Sequence, residues 1–184
     1  MNNADYQHDT VELVITPPEP YGASLAYRFR ARMTLGVIIQ LIAQAHTHIL
    51  IASPFLQDWD QCKMNTLGDS LKHAIERGVH IDIVSTGIGV EIIRNSLTLL
   101  NSRGKINLFR PKPNIEDEKV LGSHAKIIVT DSQHAYIGSA NLTSPGLTGN
   151  LEMGVMLHGG VAAQISAFWK YLIDEENYLQ HESL

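Results

Sequence analysis

Three β-branched runs recur along the middle of the chain, and helix-length segments separate them. His48 to Phe55 reads HILIASPF, Val79 to Ser85 reads VHIDIVS, and Lys105 to Arg110 reads KINLFR. Short apolar runs of this kind, bounded by Pro and Gly, predict strands. Between the first two, residues 62–77 place Met64, Leu67, Leu71, Ala74 and Ile75 on one side of a helix that Gly78 closes. After the second, Thr86-Gly87-Ile88-Gly89 connects to a helix reaching about Asn101. Upstream, Val11 to Thr16 reads as a strand stopped by Pro17, Pro18 and Pro20. Thr34 can cap a helix to about Ala45, and LGVIIQLIAQA is apolar nearly all round, so that helix is buried. Val161 to about Tyr178 reads as a terminal helix. The rhythm predicts an α/β fold: a mixed, largely parallel sheet with helices on both faces. At 184 residues the expectation is a single domain over 1–184, with residues 1–10 poorly ordered.

Composition narrows the function classes. No run of about 18 apolar residues suggests a membrane span. The first residues, MNNADYQHD, are polar and acidic, unlike a standard secretory signal. The single Cys62 leaves no intramolecular disulfide and no cysteine-based zinc site. A cytoplasmic protein is expected. The net charge of −5 does not announce a nucleic-acid binder, although a local positive cleft can still recruit phosphate. His46, His48, His73, His80, His134 and His158 show no paired metal-ligand spacing.

The densest chemistry lies between Gly122 and Glu152, GSHAKIIVTDSQHAYIGSANLTSPGLTGNLE. His124 to Thr130 reads as a buried strand, His134 to Ser139 as its hairpin partner, and Asp131-Ser132-Gln133 as the turn. Side chains two apart on a strand share a face, so His124 and Lys126 pair, as do Ser139 and Asn141. A lysine charge and an asparagine amide both suit a non-bridging phosphate oxygen. An imidazole can attack phosphorus. Gly138 permits close approach of backbone or substrate. Glu152 opens a further strand to Leu157, where a carboxylate could accept the second ring N–H of His124 and fix its tautomer. Asp131, at a strand end, is better suited to shaping the turn than to touching substrate.

The spacing H-x-K-x(4)-D-x(6)-G-S-x-N resembles the HKD motif of the phospholipase D superfamily, matched at His124, Lys126, Asp131, Gly138, Ser139 and Asn141. Glu152 falls where that superfamily has a supporting glutamate. The resemblance implies a metal-independent phosphodiesterase of α/β fold that needs no cofactor. It implies His124 as nucleophile, Lys126 and Asn141 as phosphate binders, and Glu152 as orienter. Superfamily members include nucleases and lipases. Many are two fused copies supplying two histidines, whereas this chain has one HxK, so a homodimer with two His124 side chains at its axis is expected. The segment SANLTSPGLTGNLEMGV is also similar to bacterial phospholipase D-like endonucleases and, more so, to the phospholipase D-like subunit of DISARM anti-phage defence systems (DrmC). A nucleic-acid substrate, no membrane and other defence proteins as partners are thereby implied. The alternatives are a non-catalytic nucleic-acid or defence-complex binding module and a phospholipid-hydrolysing enzyme.

Further substrate contacts are expected from weaker signals. Arg28, Arg30 and Arg32 alternate and would share a face on an extended segment, suited to a phosphate backbone, or else form a solvated edge or helix start. Ser53 to Trp59 follows a strand end, so it is a candidate rim on which Phe55 and Trp59 could stack against a base. Residues 111–121 form a polar loop before the motif, a candidate lid in which Lys112 and Lys119 could touch substrate and Glu116, Asp117 and Glu118 would repel a polyanion.

Overall fold

A computed structural model describes residues 9–57, 65–97, 106–112, 122–175 and 178–182. Its strands are β1 (Thr10–Thr16), β2 (Arg32–Met33), β3 (His48–Ala52), β4 (His80–Val84), β5 (Ile106–Pro111), β6 (Ile127–Thr130), β7 (His134–Gly138), β8 (Glu152–His158) and β9 (Leu179–Glu182). Its helices are α1 (Gly22–Phe29), α2 (Thr34–Gln44), α3 (Asn65–Glu76), α4 (Gly87–Leu97) and α5 (Gly160–Asp174), with one π-helical turn at Pro145–Gly149. Among the described residues the strands form one sheet ordered β2-β1-β8-β7-β6-β3-β4-β5-β9.

The sheet is mixed. The two strand–helix–strand units give the parallel block β3-β4-β5, and β1-β2 is a second parallel pair. The remaining pairings, β1-β8, β8-β7, β7-β6, β6-β3 and β5-β9, are antiparallel. Parallel order therefore follows the helical crossovers, and the hairpin β6-β7 reverses direction because its link, residues 131–133, is too short for a crossover, whereas the longer link to β8, residues 139–151, carries only a π-helical turn.

Alternation sorts the side chains onto two faces. Ile49, Ile51, Ile81, Ile83, Ile128 and Met156 pack with α2, α3 and α4. Leu50, Ala52, Val84, Val129, Ala135 and Leu157 pack with Ala162 and Trp169 of α5. Both faces being covered explains why these strands read as unbroken β-branched runs. In α2, Val37, Ile38, Leu41 and Ile42 are all buried, as its all-round apolar sequence requires. Arg77 donates to the carbonyls of Ile42 and Ala45 at 3.0 and 3.1 Å, satisfying the last carbonyls of α2. In α3, Leu67, Leu71, Ala74 and Ile75 form the buried stripe, and Gly78 ends the helix at φ +87°.

Several expectations change. Residues 22–29 are helical, so the arginine series is not one extended face: Arg28 lies in α1, Arg30 caps it at φ +50°, and Arg32 lies in β2. Asp9 and Thr10 are not loose, since Thr10 opens β1 and Asp9 accepts the Gly160 N–H at 2.6 Å. Residues 1–8, the helix start at 62–64, Cys62 and Lys105 lie outside the described residues. The terminal helix stops at Asp174, and β9 was not expected. Among the described residues, no helix is long and apolar enough to cross a membrane.

Candidate active site

The carboxyl ends of β3, β4 and β5 point to the end of the sheet where β6 begins, since Ala52 pairs with Ile127. Lys126 immediately precedes β6, and its carbonyl accepts the Gly138 N–H at 3.1 Å, so the hairpin geometry extends one pair past the strands. His124 and Lys126 thus precede the strand instead of lying in it, yet their side chains converge. Lys126 Nζ stands 3.0 Å from both His124 Nδ1 and Nε2 and donates to the His124 carbonyl at 2.9 Å. An ammonium only donates, so the ring nitrogen it bonds presents a lone pair. His124 is exposed and Lys126 is buried. Burial lowers the lysine pKa, and the charge of Glu152 works against that shift.

Glu152 reaches this end because Thr16, at the end of β1, pairs with it across β8. Its carboxylate accepts from the Ser139 hydroxyl, and from Asn150 Nδ2 at 3.3 Å. Ser139 Oγ in turn accepts the Met153 N–H at 3.1 Å. The expected His124–Glu152 hydrogen bond is therefore not formed in this chain. The carboxylate is held by Ser139 and Asn150, while the imidazole is held by Lys126.

Asn141 is fixed from two sides. The Leu142 N–H donates to Ser53 Oγ at 3.3 Å, and the Ser144 N–H donates to Gln57 Oε1 at 2.7 Å. The Ser53–Gln57 segment is thus the rim that its place after β3 suggested, with Phe55 exposed; Trp59 lies outside the described residues. Beneath Asn141 passes the π-helical turn. A β-carbon at Gly146 would fall 2.4 Å from the Asn141 carbonyl oxygen, so only glycine allows this approach. Asn141 Oδ1 is buried without a hydrogen-bond partner in the chain.

Gly138 serves an internal contact. A β-carbon there would lie 2.2 Å from the Tyr136 hydroxyl, and one at Gly154, its partner across β7-β8, would lie 2.8 Å from Tyr136 Cε2. The two glycines leave room for a buried phenol ring under the site, and of the close approaches expected at Gly138 the one seen is that of backbone, the Met153 carbonyl. Burial raises the Tyr136 pKa, and the charge of Glu152 adds to the rise, while Thr34 and the Ala140 N–H oppose it. Sequence reasoning missed Tyr136, Thr16 and Thr34. All three are buried hydroxyls beside the motif: Tyr136 sits within its span, on β7, and Thr16 and Thr34 come from a strand and a helix far from it in sequence.

Asp131 sits at the opposite end of β6, about 16 Å of strand from Lys126 at ~3.3 Å per residue. Its carboxylate accepts the backbone N–H groups of His46, Thr47 and His48 at 2.8, 2.9 and 2.9 Å, and the Thr47 hydroxyl at 2.7 Å. Burial pushes the carboxyl up, and these bonds overcome it, bringing the pKa down to about 2. It ties the β6-β7 turn to the start of β3. Arg32 is engaged by Glu12 and Gln40, whereas Arg28 and Arg30 are exposed on or beside α1. Lys112 is exposed beyond β5, and its backbone N–H donates to the Tyr178 carbonyl at 3.0 Å. Lys119 and the acidic residues of the expected lid lie outside the described residues. The expected Thr86–Gly89 connection is shorter than read, since Gly87, Ile88 and Gly89 already form the first turn of α4, and Gly89 packs against Ser85. Among the described residues no three His, Cys, Asp or Glu side chains are arranged to hold a metal ion.

Comparison with known proteins accords with this layout. The curated relative DISARM protein DrmC from Bacillus paralicheniformis is 27% identical over 159 residues, covering 83% of this chain, which spans only 59% of that relative's length. Among solved structures, NucT from Helicobacter pylori superposes with a TM-score of 0.65 at 16% identity, over 91% of this chain and 97% of that one. Phosphatidylserine synthase from Haemophilus influenzae superposes with a TM-score of 0.68 at 11% identity, over 95% of this chain but 40% of that one. These likenesses show the fold. Residues 38–172 match the family model described as cardiolipin synthase, PLD-like domain, and the chain belongs to this phospholipase D-like family.

Proposed function

We propose that this protein is a metal-independent phosphodiesterase that cleaves nucleic acid as a homodimer. The observation that carries the reading is that three segments bring His124 with Lys126, Asn141 and Glu152 to one end of the sheet, while Asp131 of the same motif stays at the other. Lys126 and Asn141 hold the non-bridging oxygens of a phosphodiester. A ring nitrogen of His124 attacks phosphorus, a P–N bond forms, and the P–O bond to the leaving oxygen breaks. That oxygen takes a proton from His124 of the partner subunit. The same partner imidazole then removes a proton from water as its oxygen attacks phosphorus and the P–N bond breaks. When phosphate engages Lys126, Glu152 is the carboxylate to which the second N–H of the nucleophilic ring turns.

Two observations support the dimer. Among the described residues, His181 is level with the start of β6 but four strands away on β9, and His124 is the imidazole that meets Lys126, so one chain supplies one of the two groups the reaction uses. On either side of Glu152, Leu151 and Met153 are 70% and 61% exposed, an apolar margin suited to a second copy. The superposition over nearly the whole of NucT, against less than half of phosphatidylserine synthase, accords with a half-site chain. The similarity to DrmC supports a place in anti-phage defence.

The test is cleavage of DNA and RNA oligonucleotides in EDTA across size-exclusion fractions. The expected result is activity under the dimer peak that disappears in His124→Ala, with a phosphohistidine trapped by rapid acid quench. Cleavage that requires Mg²⁺ and survives His124→Ala would overturn the reading, as would binding without cleavage or headgroup release from phospholipid vesicles alone.

A further inference from the structure

We propose that α1 and the turn after it form a docking surface for unpaired nucleic-acid strands, extending the site beyond the scissile phosphate; this rests on the reading given above. α1 is poorly packed for a helix within a domain, since Gly22 is its one buried residue. Tyr27 is 89% exposed and Phe29 58%, and Tyr21 and Met33 flank them in the open. Large apolar rings left in solvent on one short element mark a surface that something covers.

Charge says what covers it. No Asp or Glu occurs between Glu19 and Asp58, in a chain whose net charge is −5. Within that stretch Arg28 and Arg30 are exposed, and among the described residues neither has an ion-pair partner, unlike Arg32. The Arg28 guanidinium lies 5.8 Å from the centre of the Phe29 ring, so the cation and the ring face form one platform. Arg30, in the left-handed region at φ +50°, ends the helix directly after Phe29 and is exposed. Free guanidinium groups next to exposed rings match a phosphate backbone with unstacked bases. A duplex keeps its bases stacked and offers only its phosphates to such a surface.

The placement fits a single continuous path. Thr16 pairs with Glu152 at the catalytic end, Pro17 to Tyr21 continue from it, and α1 starts there. Eight residues at ~1.5 Å each carry the platform about 12 Å from that start. Because β1 and β2 are parallel, α1 runs back from the catalytic end. β1 lies three strands from β6, about 14 Å at ~4.8 Å each. A strand held at Lys126 therefore reaches the platform by crossing the β8-β1 side of the sheet end and then following α1.

The test uses the full chain carrying His124→Ala, so that binding is read without turnover. Fluorescence anisotropy measures affinity for a 20-nucleotide oligo(dT) and for a 20-base-pair duplex over a salt series. Tyr27→Ala/Phe29→Ala is expected to weaken oligo(dT) at least about fivefold and the duplex less than twofold. Arg28→Ala/Arg30→Ala is expected to reduce the log–log salt slope for oligo(dT) by about 1.4. In proteins retaining His124, the oligonucleotide cleavage rate should fall relative to hydrolysis of bis(p-nitrophenyl) phosphate, which is too small to reach α1. If neither substrate is cleaved by the parent, the catalytic reading fails while the binding comparison still decides the surface. Oligo(dT) affinities within twofold of the parent for both double variants would overturn the proposal. Equal losses for strand and duplex would do the same. So would conversion of a dimer to a monomer by Tyr27→Ala/Phe29→Ala, which would make α1 a protein interface.

Discussion

Substituting Asp131 separates a structural tie from a group of the reaction. Its carboxylate gathers three backbone N–H groups and one hydroxyl, and its pKa stands at about 2 against 3.8 for the free side chain. At ~1.36 kcal/mol per pH unit that difference corresponds to at most about 2.4 kcal/mol, and screening at this partly exposed turn reduces it to about 1–2 kcal/mol. The folded pKa lies below the unfolded one, so the unfolded chain binds the proton more tightly. The stabilisation is therefore complete above about pH 4 and is lost as the pH falls through about 2. Asp131→Asn removes the charge and keeps one acceptor. Urea denaturation at pH 7 should show it less stable by about 1–2 kcal/mol, and the gap to the parent should close between pH 4 and pH 2. Turnover per folded molecule should change less than about twofold, because some 16 Å of strand at ~3.3 Å per residue separates this carboxylate from Lys126. An Asp131→Asn protein as stable as the parent but unable to cleave would refute this reasoning and move Asp131 into the reaction.

Other perturbations probe the remaining contacts. Gly138→Ala puts a methyl group 2.2 Å from the Tyr136 hydroxyl and 3.0 Å from the Met153 carbonyl, and should cost about 1–3 kcal/mol by thermal melting; an unchanged Tm would show that the ring has room to move. Glu152→Gln removes the charge that offsets burial of Lys126, so the lysine pKa falls further. The alkaline limb of the pH–rate profile should then shift to lower pH, and a fixed limb would mean that Lys126 does not set it. His134 and His158 face each other through their Nδ1 atoms at 2.8 Å, an approach that leaves room for one proton between them. Burial first, then His158, lowers the His134 pKa below 6.5, so the unfolded chain binds more protons and stability falls as the pH drops through about 6.5. His134→Gln should show a smaller loss between pH 7.5 and 5.5 in denaturant melts. Leu151→Asp/Met153→Asp places charge on the apolar margin and should yield monomers by light scattering; an intact dimer would place the interface elsewhere.

The parts of the fold visible in the sequence are those whose cause is local. β3, β4 and β5 announce themselves because both faces of each are covered, and α2 does so because it is apolar all round. α1 was hidden by the alternation Tyr-Arg-Phe-Arg-Ala-Arg, which mimics a strand. Its helix forms because Ala, Leu and Arg favour one and because the turn closes it, with the Arg30 N–H bonded to the Tyr27 carbonyl and the Ala31 N–H to the Ala26 carbonyl. β9 is four residues of mostly polar sequence, LQHE, and is a strand only because Leu108 to Pro111 are there to pair with it. No pattern within those four residues could have revealed it.

The motif shows the same division at finer scale. Its spacing predicts that His124 and Lys126 meet, and their side chains do meet although both precede β6 instead of lying in it. The reason for its glycine is not local: it depends on a tyrosine two positions earlier and on Gly154 across the neighbouring strand. The reason for its aspartate lies in the backbone of residues 46–48, more than eighty positions upstream. A six-residue signature thus mixes groups to which the proposed reaction gives the phosphate with groups that hold the sheet, and spacing cannot tell them apart. Gly146, outside that signature, controls Asn141 more directly than Asp131 controls anything at the site, since a β-carbon there would collide with Asn141's own backbone. Gly146→Ala should therefore impair phosphate binding more than Asp131→Asn does, and a KM less affected by Gly146→Ala than by Asp131→Asn would show that Asn141 does not depend on the turn beneath it.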